Sequence, residues 1–260
     1  MRRVPLWVYL PALIGIAFIL IGPIALVVRM PWGDFIELVT SRASLEALRL
    51  GVVTALISTG LCIVFGVPMA VVFARSDGVV VRVVRALVLL PLVLPPVVGG
   101  LALLYALGRR GIVGQYLDSA GITIAFTTTA VVLAQTFVAL PFLVISVEGA
   151  LRSSGEGYEQ VAATLGAGPT RTLWKVTLPL MFPALLAGVV LSFARALGEF
   201  GATITFAGNL PGTTQTAPLK IYLDSISDPT QALPLAFVLM VVALVVVVAV
   251  HLRVNRAPVL

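Results

Sequence analysis

The stretch "YEQVAATLGAGPTRTLWKVTLPL", Tyr158–Leu180, is a polar, helix-like interval in the middle of a chain that is otherwise nearly all apolar. It carries the carboxylate of Glu159, an Ala/Leu run, two glycines and two basic residues, and it runs into Leu-Pro-Leu. The 260 residues are 60% hydrophobic and only 11% charged, with a mean hydropathy of +1.11. Soluble domains carry about 25% charged residues, so this chain is built for a lipid solvent. Composition leaves room for one membrane domain, 1–260, and for no separate soluble one. The interval then lies in a loop (about 151–175) between two membrane spans, or it is a docking surface for something outside the membrane.

Apolar stretches long enough for a bilayer core, about 20 residues, fall at 5–28, 47–74, 84–107, 124–150, 176–206 and 232–252. The first follows Met-Arg-Arg, but its apolar run exceeds the ~7–15 residues of a signal sequence, and no clear small-x-small cleavage site follows. We read it as a retained span. With the amino terminus inside, Arg2, Arg3, Arg75, Arg82, Arg85, Arg152, Arg171, Lys175, Arg253 and Arg256 are cytoplasmic. Arg29, Arg42, Arg109, Arg110 and Lys220 are then outside, and Arg49 and Arg195 fall within spans. This bias predicts both termini, and the polar interval, on the cytoplasmic side. Prolines at 68, 91, 95, 96, 141, 179 and 183 are expected to kink or interrupt the spans. Such breaks survive in a membrane only where protein or a water-filled cavity satisfies the freed backbone groups, which favours a translocation pathway over generic packing.

Several chemistries are missing. Neither lysine, Lys175 nor Lys220, follows a glycine, so there is no G-x-x-x-x-G-K-[ST] phosphate loop. The single histidine, His251, sits at the carboxy-terminal membrane edge, which excludes a core Ser-His-Asp triad and an H-E-x-x-H zinc site. Cys62 stands alone and makes no disulfide or metal cage. Deep carboxylates are chiefly Glu199 and Glu148, few for a proton-driven carrier. The chain reads as a non-catalytic transporter component that binds no cofactor itself.

Within the interval, residues 156–165 favour helix. Ser153 and Ser154 are candidate caps, and Glu156 and Glu159 suit the positive end of the helix dipole. Gly166 is placed to terminate the helix, Pro169 opens a second short turn, and Leu178-Pro179 opens the next span.

This pattern resembles the EAA loop of the membrane subunits of bacterial ABC importers, in which E-A-A-x-x-x-G is followed, nine residues on, by I-x-L-P. Glu159 aligns with the Glu, Gly166 with the Gly, Val176 with the Ile, and Leu178-Pro179 match in place. Gln160 and Val161 stand where the pattern has its alanines, and Ala162 and Ala163 follow one step later. "LLPLVLPPVVGGLALLYALGRRGIVG" (Leu89–Gly114) and "SFARALGEFGATITFAGNLPGTTQTAPLKIY" (Ser192–Tyr222) are similar to the molybdate permease branch, whose close relatives carry sulfate and tungstate. The resemblance implies an all-α type I importer permease fold with about six spans and a short cytoplasmic coupling helix. It implies a homodimer, two ATP-binding cassette subunits that bind the ATP and Mg2+, and an extracytoplasmic oxyanion-binding protein. It makes Glu159, Ala162, Ala163, Leu165, Gly166 and Ala167 the ATPase-docking residues, and Val176, Leu178 and Pro179 a hinge.

An oxyanion leaving water needs a hydrated or donor-lined path without fixed charge that would trap it. Thr127, Thr128 and Thr129 at the start of span four, and Ser192, Thr203 and Thr205 along span five, are pathway candidates. The alternative is that they satisfy helix carbonyls or join helices. Arg195 and Glu199, four apart, share a helix face and are expected to pair as a structural or gating ion pair. Gly198 and Gly201 beside them allow close helix approach, with the dimer interface as one candidate. Arg109 and Arg110 at the outer edge, and Asn209 in the outer loop of about 207–230, are candidate contacts for a delivery protein, with membrane anchoring as the other reading of the arginines. The expected function is ATP-driven import of molybdate or a similar oxyanion by alternating access. A self-sufficient carrier or channel is the main rival of another class, and a non-transporting scaffold the weakest.

Overall fold

A computed structural model describes residues 5–155 and 157–254, with side chains to Val248. Arg2, Arg3, Glu156 and Arg256, and the side chains of His251 and Arg253, lie outside what it describes. The described residues are helical without strands. In chain order the helices are α1 (Tyr9–Val28), α2 (Phe35–Thr40), α3 (Arg42–Arg75), α4 (Val79–Leu89), α5 (Pro96–Leu107), α6 (Gly114–Ser119) and α7 (Thr128–Ser154). They continue with α8 (Gly157–Thr164), α9 (Pro169–Thr172), α10 (Leu178–Leu197), α11 (Gly201–Phe206), α12 (Ala217–Ser227) and α13 (Pro229–Val254).

The centre is a three-helix layer of α3, α7 and α10, held by small and hydroxylated side chains. On α3 and α7 the contacts advance together. Thr136 Oγ1 donates to Ser58 Oγ at 3.1 Å, Gly66 lies against Leu143, and Arg152 Nη2 donates to Phe73 O at 2.6 Å. The two helices therefore run parallel. On α10 the order reverses: Ser146 Oγ donates to Ala184 O at 2.9 Å, and Ser192 Oγ to Ala139 O at 3.1 Å. A Cβ at Gly188 would stand 3.0 Å from Ser146 Cβ, so glycine sets the closeness of this crossing. Cys62, Ala139, Leu143, Val144, Val147 and Leu197 fill the layer.

Because α3 and α7 are parallel, the chain between them must return across the membrane. It does so through α4, a 3₁₀ turn at Leu90–Leu92 and α5, bent by 117° at the break. The predicted third span is therefore one crossing in two pieces. With α1, α3, α7, α10 and α13 this makes six crossings, so the start of α1 and the end of α13 share the face that carries α8. The proline expectation is met selectively: α3, α7 and α10 run unbroken through Pro68, Pro141 and Pro183, and the chain breaks at the Pro91–Pro96 cluster.

Two sequence boundaries need correction. The predicted span 176–206 ends as α10 at Leu197, and Gly198–Phe200 separates it from α11. The predicted outer loop contains an 11-residue helix, α12, begun by Pro218 in its first turn. α11 packs on α5 at backbone distance, and a Cβ at Gly201 would stand 2.7 Å from Pro96 Cβ. Gly201 is thus buried inside the protomer. α1 has no buried residue at all.

The closest approach generates a prediction. A Cβ on Gly100 would lie 1.8 Å from Thr205 Oγ1 and 2.6 Å from Ala202 O. Gly100→Val should destabilise the α5–α11 unit by at least about 1–3 kcal/mol. The check is a lowered thermal midpoint of the detergent-solubilised protein, with Gly22→Val, which meets open space, left near wild type.

Candidate functional site

The interval that opened the sequence reading is a built unit. α7 ends at Gly155, whose φ of +64° suits only glycine well, and α8 ends at Gly166, with φ of +80°. Gly166 N–H donates to Ala163 O and Ala167 N–H to Ala162 O, both at 3.0 Å, which closes α8 with paired 5→2 and 6→1 bonds. Ser153 and Ser154 do not cap α8. Their hydroxyls donate back to Ala150 O and Leu151 O and finish α7 instead. After Gly168, Pro169 begins a helical run to Leu197, interrupted in register by a π turn at Leu173–Thr177. The predicted hinge residues Val176, Leu178 and Pro179 fall at this turn and the start of α10. Such extra-residue turns mark functional positions in helices.

α8 has two faces. Ala162 is buried against the protomer, and Glu159 and Ala163 line a cavity of about 550 Å³ with Val71, Arg75 and Thr177. Tyr158, Val161 and Leu165, at i, i+3 and i+7, are 61%, 59% and 82% exposed. These three form an apolar stripe left exposed by the described residues. Of the predicted docking residues, Leu165 lies on the stripe, Gly166 and Ala167 at its end, Glu159 and Ala162 face inward, and Ala163 is exposed at the rim of the cavity. The exposure of Tyr158 and Val161 beside Leu165 was not read from the sequence, although their helical spacing was the available signal.

Charges collect on the same face. Glu159 Oε1 accepts from Arg75 Nη2 at 2.5 Å and from Thr177 Oγ1 at 2.7 Å. Glu148, 1% exposed, forms ion pairs with Arg85 Nε at 3.0 Å and Arg152 Nε at 2.9 Å. Through Arg152 and Phe73 O this buried carboxylate joins α4, α7 and α3. Removing one member of such a buried network costs roughly 3–5 kcal/mol, because the remaining charges lose their partner.

Arg195 and Glu199 form the expected ion pair, and Glu199 Oε1 also accepts Ala202 N–H at 2.7 Å. Glu199 thereby caps α11 across the break, which sequence spacing alone did not indicate. The pathway candidates are dispersed. Ser192 is fully buried and bonded to Ala139 O, while Thr205 Oγ1 donates to Gly201 O and Ala202 O. Thr127 caps α7 by accepting Ala130 N–H at 3.4 Å, and Thr128 Oγ1 donates to Thr213 O at 2.9 Å, tying α7 to the outer loop. Thr203 is fully buried, and its hydroxyl finds no hydrogen-bond partner within the described protomer. The same holds for both polar atoms of Gln135 and for Thr216 Oγ1. On the side away from α8, Arg110 is exposed, Arg109 Nε lies 3.9 Å from Asp118, and Asn209 is half-buried, with its side-chain carbonyl oxygen unbonded among the described residues. Asp228 accepts Thr230 N–H at 2.9 Å at the start of α13, and this bond holds its carboxyl below the usual range.

Six crossings, two broken helices packed on each other and a protruding α8 with an unpartnered stripe define a multi-pass membrane transport component. Residues 63–256 match the family described as binding-protein-dependent transport system inner membrane component, and the chain belongs to that family. It is 58% identical over 249 residues to the molybdenum transport system permease protein ModB of Mycobacterium tuberculosis, covering 96% of this chain and 94% of that protein. It is 34% identical over 216 residues to the sulfate transport system permease protein CysT of Escherichia coli K12, covering 82% and 78%. Its fold matches a bacterial ABC transporter involved in import of the acidic polysaccharide alginate, with a TM-score of 0.69 at 20% identity over 96% and 94% of the chains. The MetNI methionine ABC transporter in an inward-facing form matches with a TM-score of 0.63 at 18% identity, over 81% and 94%.

The left-handed residue that ends α8 supplies the second prediction. Open space surrounds Gly166, so a side chain there meets strain and no clash. Gly166→Ala should weaken the end of α8 by about 1 kcal/mol, and Gly166→Asn by less, since Asn tolerates this conformation. Limited proteolysis of the 155–169 segment should accelerate in that order.

Proposed function

We propose that this chain is the permease subunit of an ATP-driven importer of molybdate or a similar tetrahedral oxyanion. The observation that carries the reading is the 58% identity to ModB along 96% of the chain, against 34% to the sulfate permease CysT. Two copies form the membrane unit, two ATP-binding cassette subunits dock on the α8 helices, and an extracytoplasmic protein delivers the anion. ATP and Mg2+ belong to the ATPase subunits. Both termini and α8 are cytoplasmic, a reading supported by Arg75, Arg82, Arg85, Arg152, Arg171 and Lys175 on one side. The stripe of Tyr158, Val161 and Leu165 suits an apolar socket as an i, i+3, i+7 helix-in-groove anchor.

Transport proceeds by alternating access. Closure of the ATPase pair displaces α8, and the crossings rock about their close-packed contacts. The buried, unbonded groups of Gln135, Thr203 and Thr216 support an outer half that exchanges partners between states, because an unsatisfied polar group in hydrocarbon is costly. Neutral donors of this kind accommodate an anion without the fixed charge that would trap it.

The test is reconstitution. The chain should co-purify a stoichiometric ATPase, and molybdate uptake should stop on ATP depletion with the proton gradient clamped. Gly166→Glu should abolish both ATPase association and uptake while leaving membrane insertion intact. Uptake that survives ATP depletion would assign a self-sufficient carrier instead. Competition for the delivery protein among molybdate, tungstate and sulfate fixes the substrate.

A further inference from the structure

Glu159 aligns with the loop glutamate that the resemblance made a docking residue, yet its carboxylate is turned into its own protomer. One oxygen accepts Arg75 Nη2 and Thr177 Oγ1 together. Arg75 is the last residue of α3, and Thr177 is the buried last residue of the π turn that leads into α10. These are two different crossings, one before and one after α8 in the chain. No other side-chain hydrogen bond links α8 to another element among the described residues. Both ends of α8 are left-handed glycines, Gly155 and Gly166, so the backbone alone transmits little torque.

We propose that Glu159 is a positioning residue that fastens the coupling helix at once to α3 and α10, and that it is not a contact to the ATPase. Displacement of α8 is then delivered to both crossings through one carboxylate, while the stripe of Tyr158, Val161 and Leu165 holds the partner. The inference rests on the proposed function above. Without the tether, α8 swivels at its two glycines and ATP is hydrolysed without moving the spans.

The experiment uses the complete transporter in proteoliposomes, with its ATPase and delivery protein and labelled molybdate as the probe. Alanine keeps α8 helical. Glu159→Ala should keep the ATPase at wild-type stoichiometry and lower molybdate transported per ATP hydrolysed about tenfold, as expected for loss of a charge-assisted bond. Arg75→Ala, remote from the stripe, should lower the same ratio at least as much, since Arg75 has further interactions. The double variant should be no worse than Arg75→Ala. Loss of the ATPase from Glu159→Ala, or two losses that multiply in the double variant, overturns the tether. A wild-type chain that binds no ATPase overturns the proposed function instead.

Discussion

Hydrocarbon offers no hydrogen bonds, so each interruption of a membrane helix must find its partners inside the protein. The architecture follows from how this chain meets that constraint twice. The break before α5 and the break before α11 are packed on one another, with Gly201 against Pro96 and Gly100 against Ala202. Pro96 opens α5 where a missing N–H costs nothing, and Glu199 caps the exposed N–H of Ala202. Arg195 in turn balances the charge that this cap brings into the membrane. Two local defects become one shared unit, in the half of the protomer away from α8.

The other half is organised by charge. Glu148 and Glu159 each gather groups from separate crossings, and arginine is the donor in each case. The planar guanidinium suits this task, since Arg152 reaches Glu148 and Phe73 O with different nitrogens. The half away from α8 is thus joined by glycine contact and the half that carries α8 by multidentate ion pairs. Glycine contacts fix distance, whereas ion pairs tolerate small changes of angle.

The sequence was legible where the signal is local. Hydropathy located every crossing, because a run of apolar residues is sufficient cause for a membrane helix. The Arg195–Glu199 pair was readable from its four-residue spacing, and Gly166 from its place after an Ala/Leu run. Features that depend on distant parts of the chain were not readable. "LGEFGATITF" is apolar throughout, so hydropathy could not reveal the break at Gly198–Phe200. Whether Glu159 faces a partner or its own protomer depends on Arg75, 84 residues earlier. The Glu148–Arg85 pair joins α7 to α4 and leaves no periodic trace. Nor could spacing reveal that the hydroxyls of Ser192, Thr205 and Thr128 donate to backbone carbonyls, because serine and threonine serve these as readily as they serve a solute.

The placing of Gly155 and Gly166 on either side of α8 has a mechanical consequence. Positive φ at these residues lets the chain turn sharply at both borders of α8 without the strain a side chain would bring, and the turn at Gly166 is fixed by the two bonds that close the helix. The two borders thus set the direction in which α8 leaves α7 and enters the run to α10.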